Sequence, residues 1–167
     1  MAAKRSAGIL LFRRQGGEVE FLLVHPGGPF WARKDAGAWS IPKGQIEDEE
    51  EPRACAIREL EEELGEAPEL DPAQLIELGS IRQKAGKTVE AWAAEADFDP
   101  ASLASNTFAM EWPPRSGNQQ EFPEVDRAEW FGPEAAHEKI LPAQGELLDR
   151  LLERLESGSG ERSVPER

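Results

Sequence analysis

Apolar positions along this chain come in short blocks of two different periods. Residues 6–13 (SAGILLFR) and 19–25 (VEFLLVH) are compact apolar runs, and Gln15-Gly16-Gly17 between them supplies turn chemistry, so the pair predicts two strands joined by a tight turn. The first run is apolar on both faces, which predicts a central strand. A Gly- and Pro-rich stretch follows, HPGGPFWARKDAGAW, and residues 39–42 form a short extended piece. The period then changes. Ile57, Leu60 and Leu64 stand at i, i+3 and i+7, an apolar stripe that predicts a helix over about 52–64. Pro52 suits its first turn and Gly65 its stop.

Beyond that helix, residues 74–83 and 87–96 predict a hairpin across Ala85-Gly86. Residues 98–119 carry Pro100, Pro113, Pro114 and Gly117 and predict a loop with little regular structure. Residues 122–131 predict a returning strand, and Gly132-Pro133 the start of a short helix. A last helix from near Pro142 places Leu147, Leu148, Leu151, Leu152 and Leu155 on one stripe, which suits core packing and leaves a dimer contact open. Residues 157–167 (SGSGERSVPER) predict a flexible tail after a single domain over 1–156. Strands, a helix, more strands and a terminal helix together predict an α/β fold.

Composition narrows the function. A chain of 167 residues with 39% hydrophobic content can bury one core. Its net charge of −14 argues against a general nucleic-acid surface. Nothing resembles a signal peptide or approaches a membrane span. Cys55 is the one cysteine, so no internal disulfide forms and a reducing cytoplasmic home is expected. Cys55 is expected to pack rather than bind metal, and His25 and His137, each isolated, to be structural.

The candidate chemistry lies in residues 44–66, GQIEDEEEPRACAIRELEEELGE. Glu59, Glu62 and Glu63, spaced i, i+3 and i+4, share a side of the predicted helix opposite the apolar stripe. Carboxylates that close repel unless a cation sits between them, and oxygen donors without His or Cys suit a hard divalent ion. Arg58 cannot bind metal but can pair with Glu50 or Glu62. The competing explanation is a solvated acidic face, since ten acidic residues fall between Glu47 and Glu66. The combination Gly44, Glu50, Arg58, Glu59, Glu62, Glu63 and Gly65 tips the balance. It resembles the Nudix box, G-x5-E-x7-R-E-U-x-E-E-x-G-U with U aliphatic, at each fixed position, with Leu60 as the first aliphatic. Glu66 departs, at a position that packs rather than reacts.

The resemblance implies an α/β/α sandwich around a mixed sheet. It also implies hydrolysis of a pyrophosphate bond in a nucleoside diphosphate linked to another group, with Mg²⁺ or Mn²⁺. Carried over, Glu59, Glu62, Glu63 and the Gly44 carbonyl are metal ligands, Arg58 shapes the acidic cluster, and Glu59 is an alternative base. Glu121 and Glu124 are candidates for a carboxylate outside the box, as metal ligand or base; a surface role is equally open. Lys43, in the run Trp-Ser-Ile-Pro-Lys-Gly, could reach a phosphate, and Arg33, Lys34 and Arg115 could border the cleft, though loop cations are usually solvated. Trp31, Trp39 and Trp112 could stack a base, with Trp39 equally suited to the core. Ser6-Ala7-Gly8 and the WSIPKG run resemble the diadenosine tetraphosphate group, which directs the expectation to a nucleoside triphosphate or dinucleoside polyphosphate. The chain has no Tyr, so Trp or Phe would have to hold the base. The expected partner is thus a small nucleotide, with no nucleic acid and no membrane, and the protein a monomer or homodimer. Two other classes stay open: a Nudix-fold binding or regulatory module without turnover, and an acidic scaffold that mimics the box.

Overall fold

A computed structural model describes residues 4–83 and 86–163. The central strand is β1 (Arg5–Gln15). It turns through Gly16 and Gly17, both at positive φ, into antiparallel β2 (Glu18–Pro26), with Gln15 opposite Glu18. Such two-residue turns need positive φ, which glycine adopts without a Cβ penalty. The first half of the same edge of β1 pairs with β3 (Lys43–Gln45). On the other edge β1 runs parallel to β5 (Thr88–Glu95), which pairs antiparallel with β4 (Ile76–Arg82). The sheet order is β4-β5-β1-β2-β8, where β8 (Val125–Phe131) closes the far side.

The alternation along β1 explains why both its faces are apolar. Ala7, Ile9 and Leu11 point into one core, where Cys55, Ala56, Leu60 and Leu64 of α1 (Pro52–Leu64) pack. Leu10 and Phe12 point into a second core on the opposite face. That core is covered by α2 (Pro133–Lys139) and α3 (Gly145–Ser163). The molecule is therefore an α/β/α sandwich around a mixed sheet. Leu147, Leu148 and Leu151 are fully buried, and Leu152 and Leu155 pack partly buried against the same core, so the terminal leucine stripe serves core packing. Among the described residues no helix is long and apolar enough to cross a membrane.

Three expectations change, and a fourth lies partly outside the described residues. Residues 98–119 are not all loop: β6 (Thr107–Glu111) pairs with β7 (Gln119–Pro123) in a separate two-stranded sheet. The single strand expected over 122–131 is instead the end of β7 and all of β8, broken at Glu124. Pro123 marks the break, since proline cannot donate to a ladder. The turn expected at Ala85-Gly86 lies partly outside the described residues. The terminal helix runs to Ser163, so 157–163 are helical rather than tail, and 164–167 lie outside the described residues.

Candidate active site

The box folds as a strand, a loop and a helix, and each part has a local cause. The Glu51 side chain caps α1 by accepting from the backbone N–H groups of Arg53 and Ala54, and Pro52 takes the first position, where no N–H is required. Gly65 ends the helix at φ 87, and a Cβ there would stand 2.5 Å from the Ala104 carbonyl oxygen. This close approach has a purpose. The Ala104 N–H donates to the Leu64 carbonyl, the Asn106 N–H to the Glu62 carbonyl, and the Glu124 N–H to the Asn106 carbonyl. A backbone relay thus brings Glu124, at the β7–β8 break, to the end of the box helix.

Arg58 organises the acids. Its Nε donates to Glu50 at 2.7 Å, and its Nη1 donates to Glu59 at 2.9 Å and Glu62 at 2.7 Å. These hydrogen bonds and charges push Arg58 up from its ordinary value, so it stays charged. The same guanidinium holds Glu50 well down, at about 2, helped by the Glu47 backbone N–H.

Glu59 does not lie on a solvated face, as the spacing suggested. It is 9% exposed and pressed against the β3 backbone. A Cβ on Gly44 would stand 1.9 Å from the Glu59 carboxyl carbon, so only glycine lets that carboxylate reach the strand. Burial and the Glu62 charge push Glu59 up, against the pull of Arg58. Glu63 is raised further, to about 8, by burial and then by Glu59, with Lys43 opposing and Glu124 adding. Glu124 is raised by burial and by Glu62. Lys43 is lowered by burial, with Glu63 and Glu59 opposing.

Two clefts meet at these acids. Arg58, Glu59 and Glu62 line an open one with Gln45, Ile46, Glu47 and Asp48. Lys43, Glu63 and Glu124 line a second, of about 200 Å³, with Trp31, Ser40 and apolar walls from Val24, Ile41, Val125 and Leu141. Gln144, fully buried, holds one wall by accepting from the Ile41 N–H at 3.0 Å.

The structure thus brings together Lys43, Gly44, Arg58, Glu59, Glu62, Glu63 and Glu124. It does not bring the rest. Trp39 is 1% exposed, packs edge-on against Phe131 and donates from Nε1 to Asp35, so it is core and not a base platform. Arg115 is exposed in the β6–β7 turn, and Glu121 is exposed on β7 beside Thr107; neither lines either cleft. Trp31, named with Trp39 as a base platform, does line the second cleft. The sequence signal for it was weak, a Trp in a Gly/Pro loop. For Asn106, which acts through its backbone, there was none.

The donor set suits a hard divalent cation. It is all oxygen, its members raise one another's affinity for protons, and a cation would relieve that repulsion. Among the described residues, however, no three acidic, His or Cys side chains already form a metal cage, and Arg58 pairs with Glu59 and Glu62. Burial pushes the Cys55 thiol up to about 12, so without metal it stays protonated, packed in the core beneath α1.

Comparison with known proteins agrees. The family model described as the NUDIX domain matches residues 2–151. The asymmetrical bis(5'-nucleosyl)-tetraphosphatase of Rattus norvegicus is 32% identical over 111 residues, 58% of this chain and 69% of that protein. An RNA pyrophosphohydrolase of Roseobacter denitrificans is 53% identical over 36 residues, 22% of each chain, so the likeness spans about a fifth of that relative. Among solved structures, an Ap4A hydrolase binary complex from C. elegans superposes with TM-score 0.61 at 23% identity, over 91% of this chain and 98% of that one. The NUDIX domain of a Shewanella oneidensis protein complexed with ADP ribose gives 0.62 at 18%, over 93% and 90%. At those identities the superpositions speak to fold.

Proposed function

Because the chain belongs to the NUDIX family and is a hydrolase acting on a pyrophosphate bond, we propose that it cleaves a nucleoside triphosphate or dinucleoside polyphosphate in the cleft between Lys43, Glu63 and Glu124. The observation that carries the reading is the convergence of four acids, Glu59, Glu62, Glu63 and Glu124, beside a cavity that also holds a cation and an aromatic ring. The dinucleoside arm draws on the likeness to the rat tetraphosphatase.

Glu59, Glu62 and Glu63, with the Gly44 carbonyl, would hold Mg²⁺ or Mn²⁺. The chemistry such an ion supplies when bound is positive charge against phosphate oxygens and easier ionisation of water. The chain's own residues do the rest. Lys43 meets a phosphate oxygen. Trp31 offers an aromatic ring at the cavity wall, and Val24, Ile41, Val125 and Leu141 keep bulk water out. Glu124, raised by burial and held on the backbone relay, takes the proton of the attacking water, with Glu59 as the alternative. One P–O bond forms from water, the bridging P–O bond breaks, and the bridging oxygen leaves with the departing phosphate. Arg58 acts through its hydrogen bonds to Glu59 and Glu62, which keep the two carboxylates aligned.

The test is release of phosphate-containing products from nucleoside triphosphates, dinucleoside polyphosphates and nucleotide sugars, with Mg²⁺ and with chelator. Turnover of one class that stops in chelator supports the reading and identifies the substrate. Nucleotide binding without turnover would replace it with a silent binding module. Saturating Mg²⁺ should also raise Tm, by about 2.7 kcal/mol of stability at a hundred times Kd; an unmoved Tm would count against a metal site.

A further inference from the structure

Away from the box, His25 is fully buried near the end of β2, and its ring lies between two hydrogen-bond acceptors. Its Nδ1 is 2.7 Å from Asp126 Oδ1, and its Nε2 is 2.6 Å from the Lys34 carbonyl oxygen. A neutral imidazole has one N–H and can satisfy only one of these contacts; the bare nitrogen would face a lone pair at close range. Both contacts are made only if the pair carries one proton more than a neutral ring and a carboxylate hold between them. Asp126 reaches solvent, with about a third of its side chain exposed, and so keeps a counter-charge for the ring. Arg127 stands opposite His25 across the β2–β8 ladder and opposes a charge on the ring, while Asp35 and Lys139 pair with each other. Asp35 accepts from Trp39 and Lys139, and Arg127 lies 5.0 Å from the Trp39 ring. Trp39 itself stands edge-on to His25 at 5.2 Å.

The geometry points to His25, protonated at both ring nitrogens, as a positioning residue that ties the two walls of the candidate cleft together. On one side the Lys34 N–H donates to the Trp31 carbonyl at 3.0 Å, so fixing Lys34 fixes the turn that presents Trp31. On the other side Asp126 follows Val125 and Glu124, and the Glu124 carbonyl accepts from the Gly27 N–H at 2.9 Å. The ring is therefore a charged strap between the Trp31 loop and the Glu124 wall. It acts on substrate grip rather than on the reacting atoms. The kinetic part of this inference rests on the proposed function; the protonation and the strap do not.

The test uses the full chain and the variant Asp126→Asn, whose side chain is partly exposed and which removes the counter-charge without emptying the core. Ring-nitrogen NMR on wild type, assigned against His137→Gln, should show both His25 nitrogens protonated at neutral pH. In Asp126→Asn one nitrogen should lose its proton. Backbone hydrogen exchange over residues 28–38 should then quicken about tenfold, and KM should rise about fivefold with kcat unchanged, the scale of one lost net hydrogen bond. A bare ring nitrogen in the wild type overturns the inference, as does unchanged loop exchange in the variant. A fall in kcat with KM unchanged overturns the positioning role. If wild type turns over no nucleotide at all, the proposed function fails, and the NMR and exchange results still decide the strap.

Discussion

Burial and the carboxylates of Glu59 and Glu124 push Glu63 up to about 8 from its ordinary 4.5. In that window the folded chain keeps a proton that the unfolded chain has released, so without metal Glu63 lowers stability as pH rises from about 4.5 to about 8. Glu63→Gln should therefore melt higher than wild type in chelator above pH 8, while losing turnover. Parallel melting curves for the two proteins would refute the shift. Glu50 behaves in the opposite sense. Arg58 holds it at about 2, so its contribution is present above about 4.5 and is lost as pH falls through that range toward 2. Glu50→Gln should flatten the acid limb of Tm against pH; a limb as steep as wild type's would show that the pair contributes nothing. Both acids were visible as box positions. The pairing that lowers Glu50 was legible as well; the rise of Glu63 was not, because helical spacing says which side of a helix a residue shares and not how deeply the sheet buries it.

At the scale of elements, the structure separates two tryptophans that the sequence offered alike as base platforms. Trp39 follows the loop into a β-bridge with Ile140 and lies in the core between α2 and the sheet. Trp31 stays half-buried at the cleft. Trp39→Ala should cost about 3–5 kcal/mol of stability, as a large core truncation does. Trp31→Ala should cost far less and instead raise KM. Urea unfolding beside steady-state kinetics separates the two, and a reversed pattern would return Trp39 to the substrate. The β6–β7 hairpin is the other element that local pattern hid. Its strands are short and mostly exposed, with Pro113, Pro114 and Gly117 between them, so the brief alternation of Phe108 and Met110 in β6 is too short to announce a strand. Its importance lies in where it begins, at the backbone relay through Asn106 that sets Glu124 beside α1.

For the molecule as a whole, a net charge of −14 opposes the approach of any polyphosphate. Monovalent salt shortens the screening length from about 30 Å at 0.01 M to about 8 Å at 0.15 M. With free Mg²⁺ held constant, kcat/KM for a polyphosphate substrate should rise over that range. A steep fall would mean that the cations near the cleft, Lys43 among them, outweigh the global field.

The amino-acid sequence alone determined the class of fold, the limits of the box helix and the acids that chemistry would use. Those follow from periodicity, from capping residues such as Pro52 and Gly65, and from a motif whose spacing is set by helical geometry. Only the tertiary structure decided which tryptophan reaches the cleft, that Glu59 is pressed against the Gly44 backbone, that Glu124 joins the acids while Glu121 does not, and that His25 spans two acceptors. Each of these depends on contacts between segments that are remote in the chain, and such contacts leave no period in the sequence to read.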